Sequence, residues 1–309
     1  MPPQFGGKLA LGTKIDKIDK IDEFEEFEDI NSRHPEGREG LVAAGLLEET
    51  AMTKFAVNLS MLFTEVPLLD RFGRAARAGF TAVELQFPYE QPATVLREEL
   101  VRHGLTLVLH NLPAGDWAAG DRGIAADPGR TAEFRQGVAR AIEYATVLQV
   151  PRLNCLAGKL PAGVTAAEGR ATLVANLRYA AAALQQAGLT LLIEPINRFD
   201  VPGFVVQRSD DAIALMDEVG APNLKLQYDV YHQQRTEGEL AATIERLLPR
   251  IGHIQVADNP GRHEPGTGEI AWPFLFAHLD RIGYTGHVGC EYKPAGATEV
   301  GLNWMERFQ

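Results

Sequence analysis

From residue 52 onward the sequence predicts a closed (β/α)8 barrel, and three observations carry that expectation. Short apolar runs alternate with longer amphipathic, alanine-rich stretches, the pattern of a parallel sheet covered by helices. Eight such units in about 258 residues suit a closed TIM barrel, whereas an open doubly wound sheet usually has about five to seven strands. There is also no G-x-G-x-x-G after the first run and no G-x-x-x-x-G-K-[ST] anywhere, which disfavours dinucleotide and P-loop folds and any nucleotide cofactor.

The strands are expected, in order, at Phe55–Leu59, Ala82–Phe87, Leu105–His110, Arg152–Leu156, Leu189–Glu194, Leu224–Asp229, His253–Ala257 and His287–Tyr292. Between them, Glu133–Leu148, Ala166–Ala187, Asp210–Val219 and Leu240–Leu248 repeat apolar residues every three or four positions, as helices do. Gly79, Gly104, Gly188 and Gly283 each stand just before a strand, where a helix stop is needed. Pro195 ends the fifth strand: it donates no ladder hydrogen bond and favours an extended conformation at Glu194.

Residues 1–51 have a different texture. "KIDKIDKIDEFEEFED" is a short repeat running into acid, and "NSRHPEGREG" is turn-rich without period. This segment holds six Lys and Arg against twelve Asp and Glu, more than half of the excess behind a net charge of −11. Such a composition buries too little apolar surface to order itself. It is expected to be a disordered or non-native leader, with Met52 as the natural start and 52–309 as the catalytic domain; a partner-binding acidic tail is the alternative.

With 45% hydrophobic and 23% charged residues, the chain has the composition of a globular protein with ample core. No apolar run approaches the roughly 20 residues of a membrane span. Cys155 and Cys290 are too few for a disulfide framework and lack metal-type spacing, so a reducing cytoplasm is the expected location. The acidic balance argues against a nucleic-acid partner.

Strand parity points to the chemistry. Successive strand side chains face opposite sides. "LKLQYD" therefore separates Lys225, Gln227 and Asp229 from Leu224, Leu226 and Tyr228. "HIQVA" separates His253 and Gln255 from Ile254 and Val256, and "HVGCEY" separates Gly289 and Glu291 from Val288 and Cys290. In a barrel the polar set must face inward, where polar groups need partners. The last four strands end in Glu194, Asp229, Gln255 and Glu291, an all-oxygen set at the end where barrel active sites form. Hard divalent ions such as Mg²⁺ or Mn²⁺ prefer that set. Singly, each residue has an ordinary structural account: a surface ion pair for a glutamate, a helix cap for Asp229, a framework hydrogen bond for Gln255 or His232. Four positions in register on consecutive strands favour a joint site.

Seven segments, "NLSMLF", "LHNLPAGDWAAGDRGIA", "NCLAGKLPAG", "LLIEPIN", "QYDVYH", "ADNPGRHEPGTGEI" and "GCEYKP", run in order through the domain. On them the chain resembles the hydroxypyruvate isomerase family of the xylose-isomerase-like barrels, a group that also holds tagatose epimerases and endonuclease IV. The resemblance implies metal ligation by Glu194, Asp229, Gln255 and Glu291, with proton transfer by the two glutamates. It also matches the group's Asp-x-x-His to Asp229 and His232. Where the wider group often has a metal-binding histidine on strand seven, this chain has Gln255, which argues against a zinc nuclease.

The implied reaction interconverts hydroxypyruvate and 2-hydroxy-3-oxopropanoate (tartronate semialdehyde) through an enediolate. Its partners are then a small hydroxy-oxo acid and, at most, further copies of the chain. Lys159 and Arg262 are candidates to hold the substrate carboxylate, and Asn58, His110 and His232 to bond its oxygens. The loop Ala114–Gly123 could form a lid with Trp117 excluding water. The rivals are a 2-oxo-tetronate isomerase, a ketose 3-epimerase, and a barrel that binds DNA or serves only as a scaffold.

Overall fold

A computed structural model describes residues 53–308. The leader expected at 1–51 lies outside the described residues. Eight parallel strands close on themselves in chain order: β1 (Lys54–Asn58), β2 (Ala82–Leu85), β3 (Thr106–Asn111), β4 (Arg152–Cys155), β5 (Thr190–Ile193), β6 (Leu224–Asp229), β7 (Ile251–Val256) and β8 (His287–Cys290). β8 pairs with β1, so no sheet edge is left open. All eight expected strands are present, and Glu194 and Glu291 each stand one residue past the end of theirs.

The helices α1 (Leu68–Arg77), α2 (Ala93–Arg102), α3 (Thr131–Leu148), α4 (Ala166–Gln186) and α5 (Ser209–Val219) each follow a strand. Two, α6 (Val230–Thr236) and α7 (Leu240–Leu247), follow β6, and α8 (Trp272–Arg281) follows β7. α4, the longest, starts from a capping box in which the Thr165 hydroxyl accepts from the Glu168 amide and the Glu168 carboxylate accepts from that of Thr165. The four expected helix-stop glycines all take φ between 64° and 90°, a region that L side chains disfavour.

The main core fills the layer between strands and helices. Val57, Leu107, Leu153, Leu191, Leu226, Ile254 and Val288 pack outward against Phe72, Leu96, Val138, Leu177, Leu215 and Leu279. Each such side chain contributes roughly 1.5–3 kcal/mol on burial. Inside the barrel a small apolar cluster of Ala56, Ala82, Val108, Leu109 and Leu192 occupies the opposite face. The rest of the interior is polar, as parity requires.

Two register shifts decide which residues face inward. β7 carries one extra residue, Gly252, between the partners of Leu226 and Gln227. A Cβ on Gly252 would come within 2.6 Å of Leu192, so only glycine fits the bulge. Beyond it, His253 and Gln255 pair with Gln227 and Asp229 on the inner face. β3 carries the other, at Val108, because Val83 pairs with Leu107 but Glu84 with Leu109. That slip reverses the alternation for the end of β3.

Candidate active site

The strands deliver a ring of buried polar side chains to the C-terminal mouth of the barrel. Glu194, Asp229, His232, Gln255 and Glu291 are all at most 6% exposed. They stand at or below a cavity of about 780 Å³, which Glu194, His232, Arg262 and Glu291 line.

Asp229 ends β6 and uses its two oxygens differently. Oδ1 accepts from the Tyr231 amide at 2.9 Å, capping α6. Oδ2 faces His232 Nε2 at 3.5 Å and Arg262 Nη2 at 3.4 Å. The helix-cap account of this residue is thus true of it, and its second oxygen faces His232 and Arg262. Glu194 accepts from Asn154 Nδ2 at 2.8 Å, and its other oxygen lies 3.8 Å from His232 Nε2. Donor atoms of Glu194, Asp229 and His232 all lie within 4.8 Å of one another.

Glu291 joins this group through Arg262, whose Nη2 bonds its Oε2 at 2.5 Å. Its Oε1 accepts from Gln86 Nε2 at 2.9 Å and from Asn58 Nδ2 at 3.1 Å. Gln255 lies beside Asp229 in register; its amide donates to Glu84 Oε2 at 2.8 Å and its carbonyl accepts from Gln227 at 2.6 Å.

Burial dominates the electrostatics. Loss of water, together with the neighbouring carboxylates Glu291 and Asp229, holds the Glu194 carboxyl well above its ordinary range. Asp229 is pushed up to about 7 by burial, against the pull of Arg262. Glu291 is also raised by burial, again opposed by Arg262. His232 is driven far down by burial and by Arg262 and Arg235, and so is neutral. Three carboxyls face one guanidinium, and burial with their mutual repulsion makes it costly to ionise them all without a further cation. Such an oxygen-rich, acidic set is of the chemistry that a hard divalent cation prefers.

The remaining candidates divide. Arg262 reaches the carboxylates themselves and stands 5.2 Å from the Tyr231 ring. Asn58 is buried beneath Glu291, supporting that carboxylate and not lining the cavity. Lys159 is not brought to the site. Its backbone pairs antiparallel with Phe204, and its exposed side chain borders a separate surface pocket with Asp121 and Arg130. His110 does not line the cavity either; Asn111 does. The bulge in β3 turns His110 outward, where its ring meets Tyr89 edge-on, and burial lowers its pKa to about 4. Trp117 is 45% exposed on the cavity wall, tilted against Phe87 and covered by the Arg122 guanidinium 4.0 Å away.

Four residues at the site were not anticipated from sequence. Glu84, Gln86 and Asn154 were visible in principle, because "AVELQF" and "RLNCL" carry polar residues at alternate positions like the strands that were read this way. Asn197, which bonds His232, follows a proline in a loop, where no periodicity could mark it.

Fold and site together define a (β/α)8 barrel that gathers buried carboxylates at the C-terminal ends of its strands. Residues 72–308 match the family model of the xylose isomerase-like TIM barrel. The chain is 54% identical over 258 residues to hydroxypyruvate isomerase of Escherichia coli (strain K12), covering 84% of this chain and 100% of that one. It is 50% identical over 257 residues to 2-oxo-tetronate isomerase of Cupriavidus necator, covering 83% and 99%. A crystal structure described as AP endonuclease, family 2, from Brucella melitensis has a TM-score of 0.81 at 44% identity, covering 84% of this chain and 100% of that one. The chain belongs to the xylose isomerase-like TIM barrel family, and it is an enzyme of the aldose–ketose isomerase kind.

Proposed function

We propose that this enzyme interconverts hydroxypyruvate and 2-hydroxy-3-oxopropanoate, with Glu194 and Glu291 as the proton-transfer pair. The observation that carries the proposal is the pairing of those two buried carboxylates, from β5 and β8, on one cavity in a chain 54% identical to a hydroxypyruvate isomerase along that protein's whole length. A carbonyl-adjacent proton has to leave C3 and another has to reach C2. Two positioned carboxylates can serve as base and acid for those steps.

Glu194, Asp229, Gln255 and Glu291 would hold a Mg²⁺ or Mn²⁺ ion, which when bound supplies Lewis-acid stabilisation of charge developing on substrate oxygen. The protein's own groups do the rest. Asn154 orients Glu194, while Gln86 and Asn58 orient Glu291. Four cations line the cavity: Arg122, Arg235, Arg262 and Lys293. Arg262, beside both Asp229 and Glu291, is the nearest of them to those carboxylates and would attract an acid substrate. Phe87, Trp117 and Phe199 form an aromatic rim that limits water above the carboxylates.

The 50% identity to a 2-oxo-tetronate isomerase supports a second substrate, one carbon longer. Comparing kcat/KM for hydroxypyruvate and 2-oxo-tetronate separates the two; a clear preference for the four-carbon acid would replace the three-carbon assignment. Turnover of free ketohexoses would point instead to an epimerase.

A further inference from the structure

Asn197 lies in the loop after β5, wholly buried, and its side chain has no freedom to turn over. Its Oδ1 accepts from the amides of Phe199 at 3.0 Å and Asp200 at 2.9 Å. Reversed, the amide would set its NH₂ against two backbone donors. The Nδ2 therefore carries two hydrogens into the interior. One meets Asp200 Oδ2 at 3.1 Å, and the other meets His232 Nδ1 at 2.6 Å.

A ring nitrogen that receives an N–H must offer a lone pair. Nδ1 of His232 is thus bare, and the one hydrogen of the imidazole sits on Nε2. That nitrogen faces Asp229 Oδ2 at 3.5 Å and Glu194 Oε1 at 3.8 Å. We propose that Asn197 is a positioning residue that locks His232 as the Nε2–H tautomer, making it a hydrogen-bond donor at the site and barring it from ligating a metal.

The consequence is specific. Judged by proximity alone, Glu194, Asp229 and His232 form a compact triad that could hold an ion. With hydrogen on Nε2 the imidazole has no lone pair to give, and the cation falls to the oxygen donors. On the isomerase function proposed above, on which this part rests, the Nε2–H is left to donate to a substrate oxygen that gains negative charge.

The test reads the tautomer directly. In protein labelled with ¹⁵N-histidine, the His232 signals are identified by their loss in His232→Gln. The wild type is expected to show a protonated Nε2 and a bare Nδ1. In Asn197→Asp an acceptor oxygen replaces the donor, so the hydrogen should move to Nδ1. A protonated Nδ1 in the wild type, or an unchanged tautomer in a folded Asn197→Asp, overturns the proposal. Mn²⁺ titration calorimetry supplies an independent readout. Asp229→Asn, which removes an oxygen ligand, should lose more affinity than His232→Gln, which removes at most an outer-sphere donor. A loss in His232→Gln equal to or larger than that in Asp229→Asn would make His232 a ligand and end the proposal. Neither measurement involves substrate, so a wrong substrate assignment would leave both results intact.

Discussion

Glu84 on β2 and His253 on β7 meet inside the barrel, carboxylate Oε1 against ring Nε2, with both side chains wholly buried. The second oxygen of Glu84 accepts from Gln255 at 2.8 Å and from Asn58 at 3.3 Å. One carboxylate therefore anchors two residues that flank the site. Gly289 makes the space: a Cβ there would lie 2.1 Å from Glu84 Oε1.

Breaking this contact by Glu84→Ala strands a buried histidine and a buried amide. The expected loss is about 3–5 kcal/mol in urea denaturation. In the gentler Glu84→Gln, divalent-metal affinity should fall about 10–100-fold as Gln255 loses its anchor. Unchanged stability and affinity would mean that the interior pair does not support the site.

Glu194→Gln and Glu291→Gln should each lower kcat by roughly 100- to 10,000-fold, with circular dichroism unchanged. Near-normal turnover in either variant would remove that residue from the proton-transfer pair.

Exhaustive chelation should abolish activity, and Mg²⁺ or Mn²⁺ should restore it. Asp229, pushed up to about 7, must lose its proton before it can ligate. Metal affinity is therefore expected to rise between pH 6 and pH 8, as read by calorimetry; a flat or falling profile would contradict the assignment of Asp229 as a ligand.

Arg262 and Lys159, equal candidates from sequence, should separate in kinetics. Arg262→Ala is expected to cut kcat/KM about 100-fold or more, and Lys159→Ala to change it by less than about twofold. A large loss from Lys159→Ala would show that the exposed lysine reaches substrate after all.

His110 should make the fold acid-sensitive. Its folded pKa, about 4, lies below the ordinary 6.5, so the unfolded chain binds the proton more readily. Its contribution is complete above pH 6.5 and is lost as pH falls toward 4. The loss is about 3 kcal/mol, seen as a steeper decline for the wild type than for His110→Gln. Parallel declines would show that His110 is not the titrating group.

The barrel was legible because its signals are local. Strand runs, helix periods and glycine stops repeat eight times, and no long-range contact is needed to read them. Three of the four oxygen positions, Asp229, Gln255 and Glu291, were legible from parity, and Glu194 from the proline that stops its strand. Parity failed at His110. One extra residue at Val108 leaves no mark in composition, yet it turns His110 to the helices and Asn111 to the cavity.

The sequence by itself determined the fold class and which carboxylates the strand ends carry, since both follow from alternation along single segments. Only the tertiary structure decided their partners: Glu84 against His253, Arg262 between Asp229 and Glu291, Asn197 behind His232. Those contacts join residues on different strands and loops. Their geometry is set by barrel closure and by two single-residue bulges, and neither is encoded in the period of any one strand.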